Sequence, residues 1–429
     1  MKGLTSLLAS NELASIATRL ALGAFPIVFL LVVRWTLGKQ AFDLAAAALN
    51  WATYLNILML SGFVLVPPAV ARLRLATYVV DTSRDDDCRV LRDHLVLGRW
   101  LLALGVLATA FLVATIERTF ATLAAEDGAA LRFWFLLFAM FALSQIPMTF
   151  WLGVAQATGR YRLAFALTAL PRAGALVLLP AASAIGIGWG VATALSLTSV
   201  FVGQLFLGAA ARRALHNIDA RILVGPTDVR SVLFSNLNAG FVSLVGSLVS
   251  IVPVTLVGRL VPSQVGAAQV IVGISNAFGA VVASGYFPLS LTLSQRLLDQ
   301  GGVARYCLGI VRGAGLLTLI ALLFVAAAGG ICACLADTCQ PAVLWTAALV
   351  LAGAGLRLGA LGTQHIALYQ GRPHLSLLSA TAEGTVALSI LLATLPTLEL
   401  YALGVALLVG GGLRFVVALA VERRWLVER

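Results

Sequence analysis

About twelve runs of roughly 20 apolar residues follow one another along this 429-residue chain, beginning near Leu13, Leu44, Leu95, Phe133, Leu163, Gly188, Ser231, Gln264, Tyr306, Ala342, Leu375 and Leu400. A helix of that length crosses about 30 Å of hydrocarbon, and a medium with no hydrogen-bonding partners leaves the backbone few alternatives to helix. With 60% hydrophobic and 11% charged residues, the chain lies far from the roughly 25% charged of soluble domains. The reading is an all-α polytopic membrane protein. The first run is too long, and too poor in small residues at a cleavage position, for a removable signal, so it is expected to stay in the mature chain.

The formal charge of +11 could suggest a nucleic-acid partner, but the positions of the charges carry a different message. Twenty lysines and arginines, from Lys2 through Arg72, Arg160 and Arg230 to Arg429, fall on one set of connections and on the termini, against five on the other set: Arg34, Lys39, Arg118, Arg132 and Arg259. That asymmetry is a positive-inside bias and places both termini in the cytosol. No nucleic acid is implied. The run Asp85-Asp86-Asp87, flanked by Arg84 and Arg89, is expected to be a solvated turn. Without a G-x-x-x-x-G-K-[ST] loop the chain has no ATPase of its own. Cys332, Cys334 and Cys339 crowd one short loop on the outer side, where a pairing with Cys339 and free thiols both stay open, and no nearby His supports a metal. No cofactor is expected.

The chain also repeats itself. Ser61-Gly62-Phe63 and Arg72-Leu73 return as Ser284-Gly285-Tyr286 and Arg296-Leu297, shifted by 284 − 61 = 223 and 296 − 72 = 224 residues, and Arg34 is answered by Arg259. Two six-helix lobes are expected, residues 1–215 and 216–429. An even number of spans leaves both in the same orientation, so their pseudo-symmetry axis should follow the membrane normal. Paired lobes of this kind are a common transporter plan, with the substrate site at their interface.

Five charges fall inside the spans: Arg19, Arg172, Arg357, Arg414 and Glu383. Each costs about 2.5–3.5 kcal/mol at the centre of a lipid-facing helix, so they should face a cavity or one another. Arg172, Arg357 and Glu383 stand at a common depth of roughly 12–14 Å from the cytosolic helix ends at 1.5 Å per residue. Arg414 is close enough to the cytosolic face to snorkel. Small and polar residues stripe several helices: Asn11, Ser15, Arg19, Gly23 and Pro26 at spacings of three and four; Asn50, Tyr54 and Ser61; Gln145, Thr149 and Gln156; Ser231, Ser235 and Asn238; Gln269, Gly273 and Asn276. These stripes are either cavity walls or hydrogen-bonding seams between helices. Gly159-Arg160 and Gly371-Arg372 set Arg172 and Glu383 at equivalent places in the two halves. The pair could form a gate or an ion-coupling couple, or Glu383 could hold Arg357 on a neighbouring helix.

The segment from Arg34 through Leu37-Gly38, Phe42, Tyr54 and Ser61-Gly62 to Arg72, with Gln156-Ala157-Thr158-Gly159-Arg160, resembles the polysaccharide branch of the multidrug, oligosaccharidyl-lipid and polysaccharide exporter superfamily, the Wzx-type flippases. The resemblance implies a MATE-like fold of two lobes around a cavity. It also implies an undecaprenyl-diphosphate-linked oligosaccharide as cargo, moved across the bacterial inner membrane. By analogy Arg19, Arg172 and Arg357 bind the diphosphate, since guanidinium forks match phosphate oxygens. Asn50, Tyr54, Asn238 and Asn276 are the stripe residues expected to join them, with Arg34 and Arg259 as gate residues and Glu383 as the ion-coupling group. The implied partners are the lipid-linked glycan, membrane lipids and polysaccharide assembly proteins. A MATE-type drug or metabolite antiporter is the main alternative, although a cationic drug would favour embedded acids. A membrane glycosyltransferase or polymerase would need catalytic acids on a larger outer loop than the one holding Glu117, Glu126 and Asp127.

Overall fold

A computed structural model of the chain describes residues 11–56, 84–157, 160–214, 247–279, 309, 311–323, 325, 340–359 and 373–427. Every regular element among these residues is helical. The chain divides into two compact units, Met1–Gly240 and Phe241–Arg429. The repeated segments at 61–73 and 284–297, the expected boundary near 215, Asn238 and the Cys332–Cys339 loop lie outside the described residues.

The first unit holds α1 (Asn11–Asn56), α2 (Arg84–Thr119), α3 (Ala121–Ala157), α4 (Tyr161–Ala184) and α5 (Trp189–Ala214). The first two expected spans follow one another directly as the two helices of α1, divided at Gly38, whose φ of 86° and ψ of −175° suit a residue without Cβ. The bend is bracketed by two contacts. The Arg34 guanidinium lies 5.4 Å from the Phe42 ring centroid, and Lys39 Nζ pairs with Asp43 Oδ2 at 2.8 Å. A second break falls at Asp127 in α3, where the carboxylate caps the following helix by accepting the Ala130 N–H at 2.8 Å. The Asp85-Asp86-Asp87 run is not a turn: α2 starts at Arg84, so the acids occupy a first helical turn, where the helix dipole favours negative charge. An aromatic column fills the middle, with Trp134 stacked on Phe138 at 5.8 Å and on Trp189 at 5.7 Å.

The second unit contains α6 (Ser247–Leu260), a 3-10 turn at Pro262–Gln264, α7 (265–279), α8 (Val311–Leu323), α9 (Pro341–Gly359), α10 (Pro373–Leu398) and α11 (Leu400–Val427). Lipid tails are as apolar as leucine, so close van der Waals approach through small residues is what holds such helices together. Here α11 provides that approach to two neighbours. A Cβ on Gly411 would overlap the Gly353 backbone of α9, and one on Gly410 would lie 2.9 Å from the Ala387 Cβ of α10. The helices α10 and α11 form a hairpin closed at Glu399, which has a φ of 48° and donates its N–H to the Leu395 carbonyl at 3.0 Å. The Gln264 side-chain amide donates to the Glu399 carboxylate, tying the α6–α7 link to that turn.

Eight helices among the described residues are long and apolar enough to cross a membrane, with α6 and α8 as shorter apolar helices. Counting the two arms of α1 separately, helical segments fall within eleven of the twelve expected spans, and the seventh, beginning near Ser231, lies largely outside the described residues and meets α6 only at its end.

Candidate functional site

In the first unit, α4 carries Arg172 eleven residues in from Tyr161, about 17 Å along the helix axis. Its residue surface is 2% exposed. Nη1 donates to the Thr168 carbonyl at 2.7 Å, and Nη2 reaches Gln145 Oε1 at 3.3 Å and Met148 Sδ at 3.5 Å. The rings of Phe25 and Phe141 stand 5.8 and 6.0 Å from the guanidinium carbon. Aromatic faces stabilise a desolvated cation by roughly 2 kcal/mol, but they do not neutralise its charge. No carboxylate pairs with Arg172 among the described residues, and its Nε and the Thr168 hydroxyl are both buried without a hydrogen-bond partner there. The site is thus a buried positive charge in a polar-aromatic box with donor capacity unused.

In the second unit the charges converge from three helices. Glu383 of α10 is 2% exposed and accepts from Arg414 Nη1 of α11 at 2.6 Å through Oε2. Its other oxygen lies 3.9 Å from Arg357 Nη1 of α9, an ion pair too long for a hydrogen bond. Among the described residues, two guanidiniums stand against one carboxylate, one positive charge in excess. Arg357, with an 18% exposed side chain, lines a small cavity together with Ser250, Ser275, Gly353 and Glu383. The volume open to the centre of a water-sized sphere is about 10 Å³, which holds roughly one water or one oxygen atom. Ser250 donates to Asn276 Oδ1 at 3.3 Å beside it.

The remaining expected site residues are spread more widely. Arg19 lies on α1, but its side chain is outside the described residues, as is Asn238 altogether. Asn50 is buried on α1. Tyr54 packs edge-on against Trp51 at 5.0 Å, and Trp51 in turn donates Nε1–H to the Leu112 carbonyl of α2 at 3.0 Å, so this pair fastens α1 to α2. Arg34 spans the Gly38 bend, and Arg259 is exposed at the end of α6. Among the expected group, the structure brings together Arg357 and Glu383, with Asn276 one hydrogen bond away through Ser250. It joins Arg172 to Gln145 of the α3 stripe.

Arg414 is the residue that sequence reasoning misplaced. Expected to snorkel, it is 5% exposed and bonded to Glu383, because α11 runs 28 residues and Arg414 stands at its midpoint. The hairpin register holds the signal that finds it. Glu383 and Arg414 lie 16 and 15 residues from Glu399, and in an antiparallel pair residues equidistant from the turn share a depth.

No protein-family model matches the chain, and no curated protein matches it in sequence. Solved structures do. The chain is similar to an inward-facing multidrug resistance MATE family transporter of the MOP superfamily, with a TM-score of 0.71 at 15% identity over 96% of this chain and 95% of that one. An outward-facing transporter of the same description gives a TM-score of 0.56 at 16% identity, covering 100% and 98%. A mutant of the Vibrio cholerae MATE transporter VcmN gives 0.53 at 14% identity, covering 98% and 99%. The chain therefore has the MATE-like all-helical fold along its whole length.

Proposed function

We propose that this chain is a multi-pass exporter of the bacterial inner membrane. It moves an undecaprenyl-diphosphate-linked oligosaccharide by alternating access of two six-helix lobes, 1–215 and 216–429, with both termini cytosolic. The observation that carries this reading is the excess of buried guanidinium over carboxylate: Arg172 stands without an acid among the described residues, and Arg357 and Arg414 share Glu383. Buried cations are retained where they face a charge of opposite sign, and a diphosphate supplies that charge from the cargo. A MATE-type antiporter of drugs or metabolites is the second reading, favoured by the fold of the solved neighbours. A positively charged interior works against a cationic drug and for an anion.

The tight Arg414–Glu383 bond supports a structural role for the carboxylate rather than proton coupling. The driving force then comes from the membrane potential acting on the cargo's own charge, or from consumption of the cargo on the far side.

Proteoliposomes loaded with a fluorescent polyprenyl-diphosphate oligosaccharide test the reading. The wild-type chain should carry the lipid between leaflets, and Arg172→Ala should slow it by about tenfold or more, the scale of losing one charge-assisted contact. Arg172→Lys should retain part of the rate. Undiminished transport by Arg172→Ala, or faster transport of a cationic dye than of the glycan, would contradict the proposal.

A further inference from the structure

We propose that Arg414 serves as the hydrogen-bonded counter-ion of Glu383, and thereby leaves Arg357 available to hold one oxygen of a phosphate-type anion in the cavity with Ser275. This deepens the reading above and rests on it for the identity of the cargo.

The geometry is unequal in the direction this requires. Arg414 meets the carboxylate at 2.6 Å, whereas Arg357 stands off at 3.9 Å and makes no hydrogen bond among the described residues. The first distance is that of a charge-assisted bond and the second is not. One arginine neutralises the acid, and the other remains a surplus cation on the cavity wall. The cavity takes about one oxygen atom, and its polar lining besides the charges is Ser250, whose hydroxyl donates to Asn276 Oδ1, and Ser275, the serine left to donate to an anion. An oxyanion could place a single oxygen there while the rest of the group stays outside. Glu383 faces the same cavity and would repel an anion, which is why its neutralisation by Arg414 matters.

Charge counting turns this into a test that a merely structural role would not pass. Without Arg414, Glu383 must draw in Arg357, the only other cation beside it among the described residues. The pair is then neutral and the surplus is gone. Removing Glu383 as well restores the net charge of +1 that the three residues carry in the wild type. The experiment measures binding of inorganic pyrophosphate, and separately of undecaprenyl diphosphate in micelles, to the purified full-length chain by isothermal calorimetry. Arg414→Leu is expected to weaken both about tenfold or more, as Arg357→Leu does, and Arg414→Leu with Glu383→Leu is expected to restore wild-type affinity. Wild-type affinity in Arg414→Leu, or no recovery in the double variant, overturns the proposal. Should Arg414→Leu be recovered unfolded, Ser275→Ala decides: its affinity falls severalfold if the anion sits in this cavity and is unchanged if it does not. Recovery of pyrophosphate binding by the double variant without any binding of the lipid would uphold this site while overturning the lipid-linked cargo.

Discussion

Glu383→Leu is expected to be the most destabilising single change in the second unit, costing about 3–5 kcal/mol. The substitution removes the only carboxylate between Arg357 and Arg414 among the described residues and leaves two buried guanidiniums to repel one another. Arg414 cannot reach water easily, being 5% exposed in mid-helix, and Arg357 has only the small cavity. Thermal unfolding in detergent, followed by intrinsic tryptophan fluorescence, should show a large drop in midpoint. Replacing Arg414 together with Glu383 by leucine should recover most of it, because exchanging a buried ion pair for packed apolar groups is often neutral. Equal losses in the single and double variants would show that the cost came from packing and not from stranded charge.

Gly411→Leu should be comparably damaging for a different reason. A Cβ at Gly411 would overlap the Gly353 backbone, and backbone cannot rotate aside as a side chain can. Overpacking a rigid contact costs about 1–3 kcal/mol or more, and here it would also part α9 from α11 and pull Arg357 away from Glu383. Gly412 provides the control on the same helix. Its Cβ would meet only Leu356 Cδ1, at 3.8 Å, an ordinary contact, so Gly412→Ala should leave the midpoint within about 0.5 kcal/mol of wild type or raise it slightly through helix propensity. Folded yield by size-exclusion chromatography and the unfolding midpoint together check the pair. Similar behaviour of the two variants would mean that the α9–α11 approach is not tight.

The spans were legible because a membrane makes burial of the backbone nearly compulsory, so apolar run length reports helices directly. The helical content follows from that constraint, whereas the MATE-like fold was implied only by the resemblance of the segments at 34–72 and 156–160. The embedded charges were legible for the same reason: the insertion cost singles out Arg172, Arg357 and Glu383 as residues with work to do. Their partners were harder to read. Whether Glu383 meets Arg357 or Arg414 depends on the rotation of α10 about its axis and on the glycines that bring α9 and α11 together, neither of which a stripe of residues encodes. Arg414 was assigned to the surface by taking a 20-residue span where the helix continues to Val427. Gln145 was flagged as a stripe residue, yet nothing in its spacing pointed to a hydrogen bond with Arg172, 27 residues away. The acidic triplet read as a turn because it lies in a charged connection between spans, balanced by Arg84 and Arg89, whereas the helix extends past the apolar run and takes the acids into its first turn.

On the proposed reading, the buried arginines of this chain serve an anionic, lipid-linked cargo. Native mass spectrometry of the wild-type chain, purified gently from a bacterium that makes the glycan, tests it most directly. The expected result is an adduct with the mass of a polyprenyl diphosphate bearing sugars, retained in Gly412→Ala and lost in Arg172→Ala and Arg357→Leu. An adduct that persists in both arginine variants, or displacement of the lipid by a cationic drug at equal concentration, would contradict it.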